Sequence, residues 1–306
     1  MLRRLSVIVF LLLAAGSASA LELYGIDDTS LYTVDPATGV ATLIGPLDPP
    51  VPGLLGGLEW ANGVLYGLAG TPGNALWRVD PATAECTLVG PLNAGGVFEG
   101  GLAWDGQNMW GVNVGVFGAP KGLVNIDLET GAGTYVGTIG DIDFNGLAMH
   151  NGQLYGINSR VGSAPNNALW LIDRTNPSAS YQIGSGFGFT LGVKGGLAGE
   201  YGYADGPYPP GDGPYQFFRV NFDTGSAEVL ATTTVRFRSL APIPVEPCVG
   251  DLDGDGDTDH SDLGILLADW GCVGSEPEDC PGDLDGDFDT DHSDLGILLA
   301  DWGCVP

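Results

Sequence analysis

The sequence predicts a chain that is all-β for most of its length, a five-bladed β-propeller, followed by a small α-helical module. Three observations carry this. A slow repeat of about 45 residues fills residues 21–241, a fast repeat of 32 residues fills residues 248–306, and a proline-bearing stretch at 242–247 separates them as a stiff linker.

The slow repeat is marked by Gly57-Leu58-Glu59, which recurs as Gly101-Leu102-Ala103, Gly146-Leu147-Ala148, Gly196-Leu197-Ala198 and Ser239-Leu240-Ala241. Ten residues after each of the first three glycines a second apolar run ends in Tyr66-Gly67, Trp110-Gly111 or Tyr155-Gly156. A third strand follows at Ala75–Val79, Gly122–Ile126, Ala168–Ile172 and Gln216–Val220. Turns are expected at Asp80, Asp127, Asp173 and Asp223, and a fourth strand ends at Gly45, Gly90, Gly137 or Gly184. Four short strands with polar turns between them, and no helical periodicity, make a propeller blade. The opening unit, from Leu23-Tyr24-Gly25, lacks its Gly-Leu-Ala strand, and Arg238–Ala241 at the other end lacks the rest of a unit. The last strand is therefore expected to complete the first blade and leave no open sheet edge. Tyr208–Gly213 in the fifth unit is expected to project as a loop.

In the fast repeat, Asp251–Cys272 recurs as Asp283–Cys304 with one difference, Gly256 against Phe288. Carboxylates stand at positions 1, 3, 5, 9 and 12 of each loop: Asp251, Asp253, Asp255, Asp259 and Asp262, then Asp283, Asp285, Asp287, Asp291 and Asp294. The backbone carbonyl at position 7, of Asp257 or Asp289, is expected to fill a further vertex. This is the ligand spacing of an EF-hand loop, in which a hard cation takes six to eight oxygens, so two calcium ions are expected. Phe288 occupies a position where such loops want a left-handed glycine, which makes the second site the weaker one. Each loop runs into an apolar helix with Asp262 or Asp294 in its first turn and Gly271 or Gly303 as its stop. Leu263, Ile265, Leu266, Leu267 and Trp270 are expected on one apolar face.

Two loop-helix units without an entering helix resemble a type I dockerin, over residues 248–306. The resemblance implies docking onto a cohesin-like protein, with the loop aspartates as calcium ligands and His260, Ser261, His292 and Ser293 at recognition positions. The family often carries a basic pair in mid-helix, where this chain has Leu267-Ala268 and Leu299-Ala300.

The net charge is -28, of which the last 59 residues hold 17 acidic groups and no Lys or Arg. So acidic a chain is a poor nucleic-acid partner, and its tail should fold fully only when a cation neutralises the loops. Residues 1–20 read as a secretory signal, with Arg3-Arg4, an apolar run Val7–Ala15 and Ala18-Ser19-Ala20. No membrane span is expected, and the protein should be secreted, to the medium or cell surface. Cys248, Cys272, Cys280 and Cys304 bracket the two fast repeats, so disulfides are expected, with three pairings open. Cys86 reads as a small buried hydrophobe.

The slow repeat resembles secreted bacterial propellers with units of the form GLA...LYG...LW.ID..TG, a fold that hosts hydrolases, lyases and binding proteins alike. On that resemblance the alternative to an attachment protein with an unknown propeller ligand is a carbohydrate-active enzyme hydrolysing O-glycosyl bonds. It would need paired carboxylates near the ring axis, and the candidates are Glu59, Glu99, Asp141 and Asp143. Trp60, Trp104, Tyr66, Trp110 and Tyr155 are candidates for blade packing or for a carbohydrate-stacking surface. His150 reads as a solvated turn residue.

Overall fold

The computed structural model describes residues 23–51, 55–70, 73–94, 101–113, 121–140, 142, 144–158, 168–187, 195–204, 215–243, 248–255, 257–276 and 279–304. The expected signal at 1–20, the loop at 208–213 and most of the linker lie outside them. The chain divides into two units, Leu21–Pro244 and a unit containing Val245–Pro306.

The larger unit is a five-bladed β-propeller. Its first blade is assembled from both ends of the unit. Here β1 (Leu23–Ile26), β2 (Ser30–Asp35) and β3 (Val40–Pro46) are completed by β20 (Ser239–Pro242), in the order β20-β1-β2-β3. Leu23 faces Pro242 and Gly25 faces Leu240 in antiparallel register, so the strand runs one residue past the boundary expected at 241. The second blade holds β4 (Leu55–Ala61), β5 (Val64–Ala69), β6 (Ala75–Val79) and β7 (Cys86–Pro91). The third holds β8 (Leu102–Trp104), β9 (Met109–Asn113), β10 (Gly122–Ile126) and β11 (Gly133–Gly137). The fourth holds β12 (Phe144–His150), β13 (Gln153–Asn158), β14 (Ala168–Ile172) and β15 (Tyr181–Ile183). The fifth holds β16 (Gly195–Ala198), β17 (Tyr201–Ala204), β18 (Tyr215–Asn221) and β19 (Ser226–Thr233).

The Gly-Leu-Ala strands β4, β8, β12, β16 and β20 pack in succession around the axis, and β20 meets both β16 and β4 to close the circle. Five apolar clusters each span one blade-to-blade interface. Leu58 and Ala241 mark the first, Ala61 and Leu102 the next, then Ala103 with Leu147, Ala148 with Leu197, and Ala198 with Leu240. Ala103, Ala148, Ala198 and Ala241, the alanines of four of these strands, thus point into the neighbouring blade. Tyr66, Trp110 and Tyr155 are buried in these interfaces, which settles them as packing residues.

The recurring glycines have a spatial cause. A Cβ on Gly90 would lie 2.1 Å from the carbonyl oxygen of Thr130 in the next blade, and Gly184 meets Thr224 at the same distance. At Gly45, Gly90 and Gly184 the end of the fourth strand therefore touches backbone of the next blade, whereas Gly137 meets the ring of Pro177. Gly90→Ala is expected to cost roughly 1–3 kcal/mol, as overpacking does; an unchanged melting temperature would mean that this interface simply yields.

Between third and fourth strands, Oδ1 of Asp35, Asp80, Asp127 and Asp173 accepts backbone N–H groups two and three residues on. In the fifth blade that role falls to Asn221, the last residue of β18, and not to Asp223: Asn221 Oδ1 accepts from the N–H groups of Asp223 and Thr224. Cys86 is buried and unpaired, as expected of a small hydrophobe, and burial pushes its thiol up to about 11.

The smaller unit contains α1 (His260–Ala268) and α2 (His292–Ala300). Each helix starts in a capping box: the side chain of Asp259 or Asp291 accepts from the N3 backbone, while Asp262 or Asp294 accepts from the N-cap N–H. Gly271 and Gly303 end them at φ 80° and 77°. The predicted single apolar face divides. Leu266 and Leu298 are fully buried, but Leu267 and Leu299, one position (about 100°) further round each helix, are 53% and 54% exposed, and Trp270 and Trp302, beyond the helix ends, are 40% exposed. Among the described residues no helix is long and apolar enough to cross a membrane.

Candidate metal centre

The loops before α1 and α2 are wound by their own aspartates. Asp251 Oδ1 accepts from Gly254 N–H at 2.7 Å, Asp253 Oδ1 from Asp255 at 3.1 Å and Asp255 Oδ1 from Asp257 at 3.2 Å. In the second loop Asp283 Oδ1 accepts from Gly286 at 2.8 Å and its Oδ2 from Phe288 at 2.9 Å. Asp285 and Asp287 hold Asp287 and Asp289 in turn at 3.1 Å. Gly254 and Gly286 take φ of 76° and 77°, the left-handed turn that lets carboxylates alternate inward.

This winding brings together carboxylate oxygens of Asp251, Asp253 and Asp255, of Asp257, Asp259 and Asp262, and of Asp283, Asp285 and Asp294, each set within 4.8 Å of one another. Asp287 and Asp291 stand in the second loop and at the cap of α2. At position 7, Oδ1 of Asp257 and of Asp289 is buried with no hydrogen-bond partner. A buried carboxylate oxygen left without a donor is costly, and a cation is what such an oxygen fits.

The carboxyls of Asp253, Asp257, Asp285 and Asp289 are raised above the usual range, first by desolvation and then by neighbouring loop carboxylates. Asp262 and Asp294 are lowered: burial pushes them up, but backbone N–H groups outweigh it. For Asp262 these are Asp259 at 2.7 Å, Leu252 at 2.7 Å and Asp253 at 3.1 Å. Position 12 therefore fastens the loop to its helix as well as facing the carboxylate cluster.

Phe288 adopts φ 74°, the left-handed conformation that the sequence pattern demands there. Since a side chain in that region costs roughly 1–2 kcal/mol, Phe288→Gly is expected to tighten cation binding at the second loop by about 5- to 30-fold. Calorimetry resolving the two sites would test this, and equal affinities before and after would show that the strain is unrelated to binding.

The two repeats are locked reciprocally. Thr258 N–H donates to Cys304 O at 3.1 Å and Gly303 N–H to Thr258 O at 2.9 Å. Thr290 and Cys272 repeat the first bond at 3.1 Å, and Gly271 and Thr290 the second at 2.9 Å. Asp301 Oδ2 accepts from Gly250 N–H at 2.7 Å and Thr258 Oγ1 at 2.8 Å; Asp269 Oδ2 accepts from Gly282 N–H at 2.9 Å and Thr290 Oγ1 at 2.7 Å. His260 meets Trp302 edge-to-face and His292 meets Trp270 likewise, both at 5.0 Å. The disulfides Cys248–Cys304 and Cys272–Cys280 obey the same exchange. Sequence reasoning passed over Asp269 and Asp301, although an acidic residue at a helix C-terminus, against the dipole, is a readable signal.

In the propeller, Glu59 stands where the other inner strands carry Ala103, Ala148, Ala198 and Ala241. Its carboxylate accepts the N–H of Trp60 at 2.9 Å and that of Trp104 in the next blade, and burial pushes its pKa up to about 8. Glu59 is thus wedged between the second and third blades. Glu99, Asp141 and Asp143, its expected carboxylate partners, lie outside the described residues. Trp60 is half-buried and stacks on Tyr24 with centroids 6.0 Å apart. His150 is no free turn residue: it ends β12 and stacks at 4.2 Å on Phe222 of the fifth blade, beside a cleft of about 530 Å³ that Asn151, Glu200, Arg219 and Glu228 also line.

No family model matches the chain, and no curated protein matches it. Among solved structures, the crystal structure of a nidogen/laminin complex aligns over 72% of this chain and 97% of that one, at 11% identity and TM-score 0.43. TolB from Acinetobacter baumannii aligns over 72% of this chain and 55% of its own length, at 15% identity and TM-score 0.42.

Proposed function

We propose that the C-terminal unit is a calcium-dependent attachment module of a secreted protein and that the propeller presents a binding surface to an extracellular ligand. The observation that carries the calcium reading is the pair of buried, partnerless Oδ1 atoms of Asp257 and Asp289, each inside a loop of alternating carboxylates. A hard divalent cation in each loop supplies the charge that these oxygens lack, and the twelve loop aspartates named above, six to a loop, are the ligand sets of the two ions. In the first loop Asp251, Asp253, Asp255, Asp257 and Asp259 offer oxygens directly, while Asp262 divides its lone pairs between the cation and the backbone N–H groups it already accepts. The second loop repeats this with Asp283, Asp285, Asp287, Asp289, Asp291 and Asp294.

Attachment is supported by the exposed Leu267, Trp270, Leu299 and Trp302, apolar side chains standing out of an otherwise acidic unit. A cohesin-like domain is the partner this reading names. Two disulfides within a short acidic unit accord with an oxidising compartment, and so with secretion.

Calcium titration of the full chain by calorimetry tests the reading. Two ions per chain, with a rise in protection of residues 248–304 against hydrogen exchange, are expected; no heat at millimolar calcium would sink it. For attachment, Leu267→Lys with Leu299→Lys should weaken capture of a cohesin-like domain by at least about tenfold, as loss of a central apolar contact does, with calcium affinity unchanged. Undiminished capture would exclude this surface.

A further inference from the structure

We propose that Asp269 and Asp301 are positioning residues for the calcium loop of the opposite repeat, so that the side chain capping the C-terminal end of each helix sets the affinity of the other repeat's ion. The inference rests on the calcium reading above and goes beyond it by naming two residues outside the ligand set.

Asp301 follows α2, yet its Oδ2 holds two points of the first loop: Gly250 N–H, immediately before Asp251, and Thr258 Oγ1, between Asp257 and Asp259. One oxygen therefore ties the start of the loop to the stretch carrying its seventh and ninth positions. The backbone of Thr258 adds two more bonds to the end of α2, through Cys304 O and Gly303 N–H, and Thr258 is fully buried. Gly250 is shaped for this approach. A Cβ there would lie 2.6 Å from Thr258 Cγ2 and 3.3 Å from Asp301 Oδ2. Asp269, Gly282 and Thr290 reproduce the arrangement for the second loop, with the corresponding Cβ contacts at 2.7 and 3.2 Å.

A role in ending the helices does not account for these aspartates. A negative charge at a helix C-terminus opposes the macrodipole, and neither helix has a basic residue in its last turn. Nor does tail solubility account for them, since the loops already carry a large surplus of negative charge that a further carboxylate worsens. What each carboxylate gains is two donors on a loop it does not belong to. Groups that orient metal ligands without touching the metal typically contribute 10- to 100-fold in affinity.

The test separates the loops within the full chain. Asp283→Ala leaves the first loop to be titrated alone, and Asp251→Ala leaves the second. With calcium as the probe and calorimetry as the readout, Asp301→Ala is expected to raise the first loop's Kd by about tenfold or more and to leave the second within about twofold, with Asp269→Ala doing the reverse. Asp301→Asn, which keeps an acceptor oxygen, should restore the first loop to within about threefold. Gly250→Ala should weaken the first loop only, and it carries the comparison if Asp301→Ala fails to fold. Weakening of the second loop by Asp301→Ala as large as that of the first would mean a general helix-end defect and overturn the proposal, as would no change in either loop. A wild-type chain that takes up no calcium would instead remove the calcium reading itself.

Discussion

Glu59→Gln will leave the propeller's stability unchanged near pH 4 and raise it at pH 9. In the folded chain, burial between the second and third blades lifts Glu59 from 4.5 to about 8. Below pH 4.5 the carboxyl is protonated folded or unfolded, so it costs nothing. As pH rises toward 8 the unfolded chain releases the proton more readily than the folded one, and folding stability falls across that window; above 8 the full cost of a buried charge is present. At 1.36 kcal/mol per unit the shift sets an upper bound of roughly 5 kcal/mol, which the remaining solvent contact of Glu59 reduces to about 2–3. Gln keeps an acceptor oxygen for the N–H groups of Trp60 and Trp104 but has no proton to lose. For a unit of this size the variant should melt about 5–10 °C above the parent at pH 9. Thermal melts across pH 4 to 9 would decide it: parallel curves for the two proteins would mean that Glu59 does not bear the burden assigned to it.

Removing the two disulfides one at a time should have unequal effects, the larger from Cys248–Cys304. That bond joins residues 56 apart in sequence and encloses both repeats, whereas Cys272–Cys280 joins residues 8 apart. In the chain-entropy account the loss is about 4 kcal/mol for Cys248→Ser with Cys304→Ser, and about 2.5 kcal/mol for Cys272→Ser with Cys280→Ser. Hydrogen-exchange protection of residues 248–304 in excess calcium reads the local stability without interference from the propeller's tryptophans. Equal losses, or a larger one from the short bridge, would show that native-state contacts rather than loop closure dominate.

The slow repeat was enough to place β6, β10 and β14 residue for residue, because short apolar runs bounded by Asx turns leave a strand few other places to begin or end. It also specified that Ser239–Ala241 completes the first blade, since each end of the unit lacked what the other carried. In the fast repeat, twelve aspartates at EF-hand spacing and the left-handed demand on Phe288 were legible for the same reason: these are local constraints on one loop. What lies across the fold was not. Only the tertiary structure sets Glu59 against the backbone of Trp104 in the next blade, where its pKa rises. Only it chose among three disulfide pairings, because the start of each loop rests on the end of the other repeat's helix. The same crossing brings Asp269 to Thr290 and Asp301 to Thr258, and turns Leu267 and Trp270 outward from a face that periodicity alone would have buried. Local sequence fixes which backbone conformations are cheap; which surfaces then meet depends on packing between segments far apart in the chain.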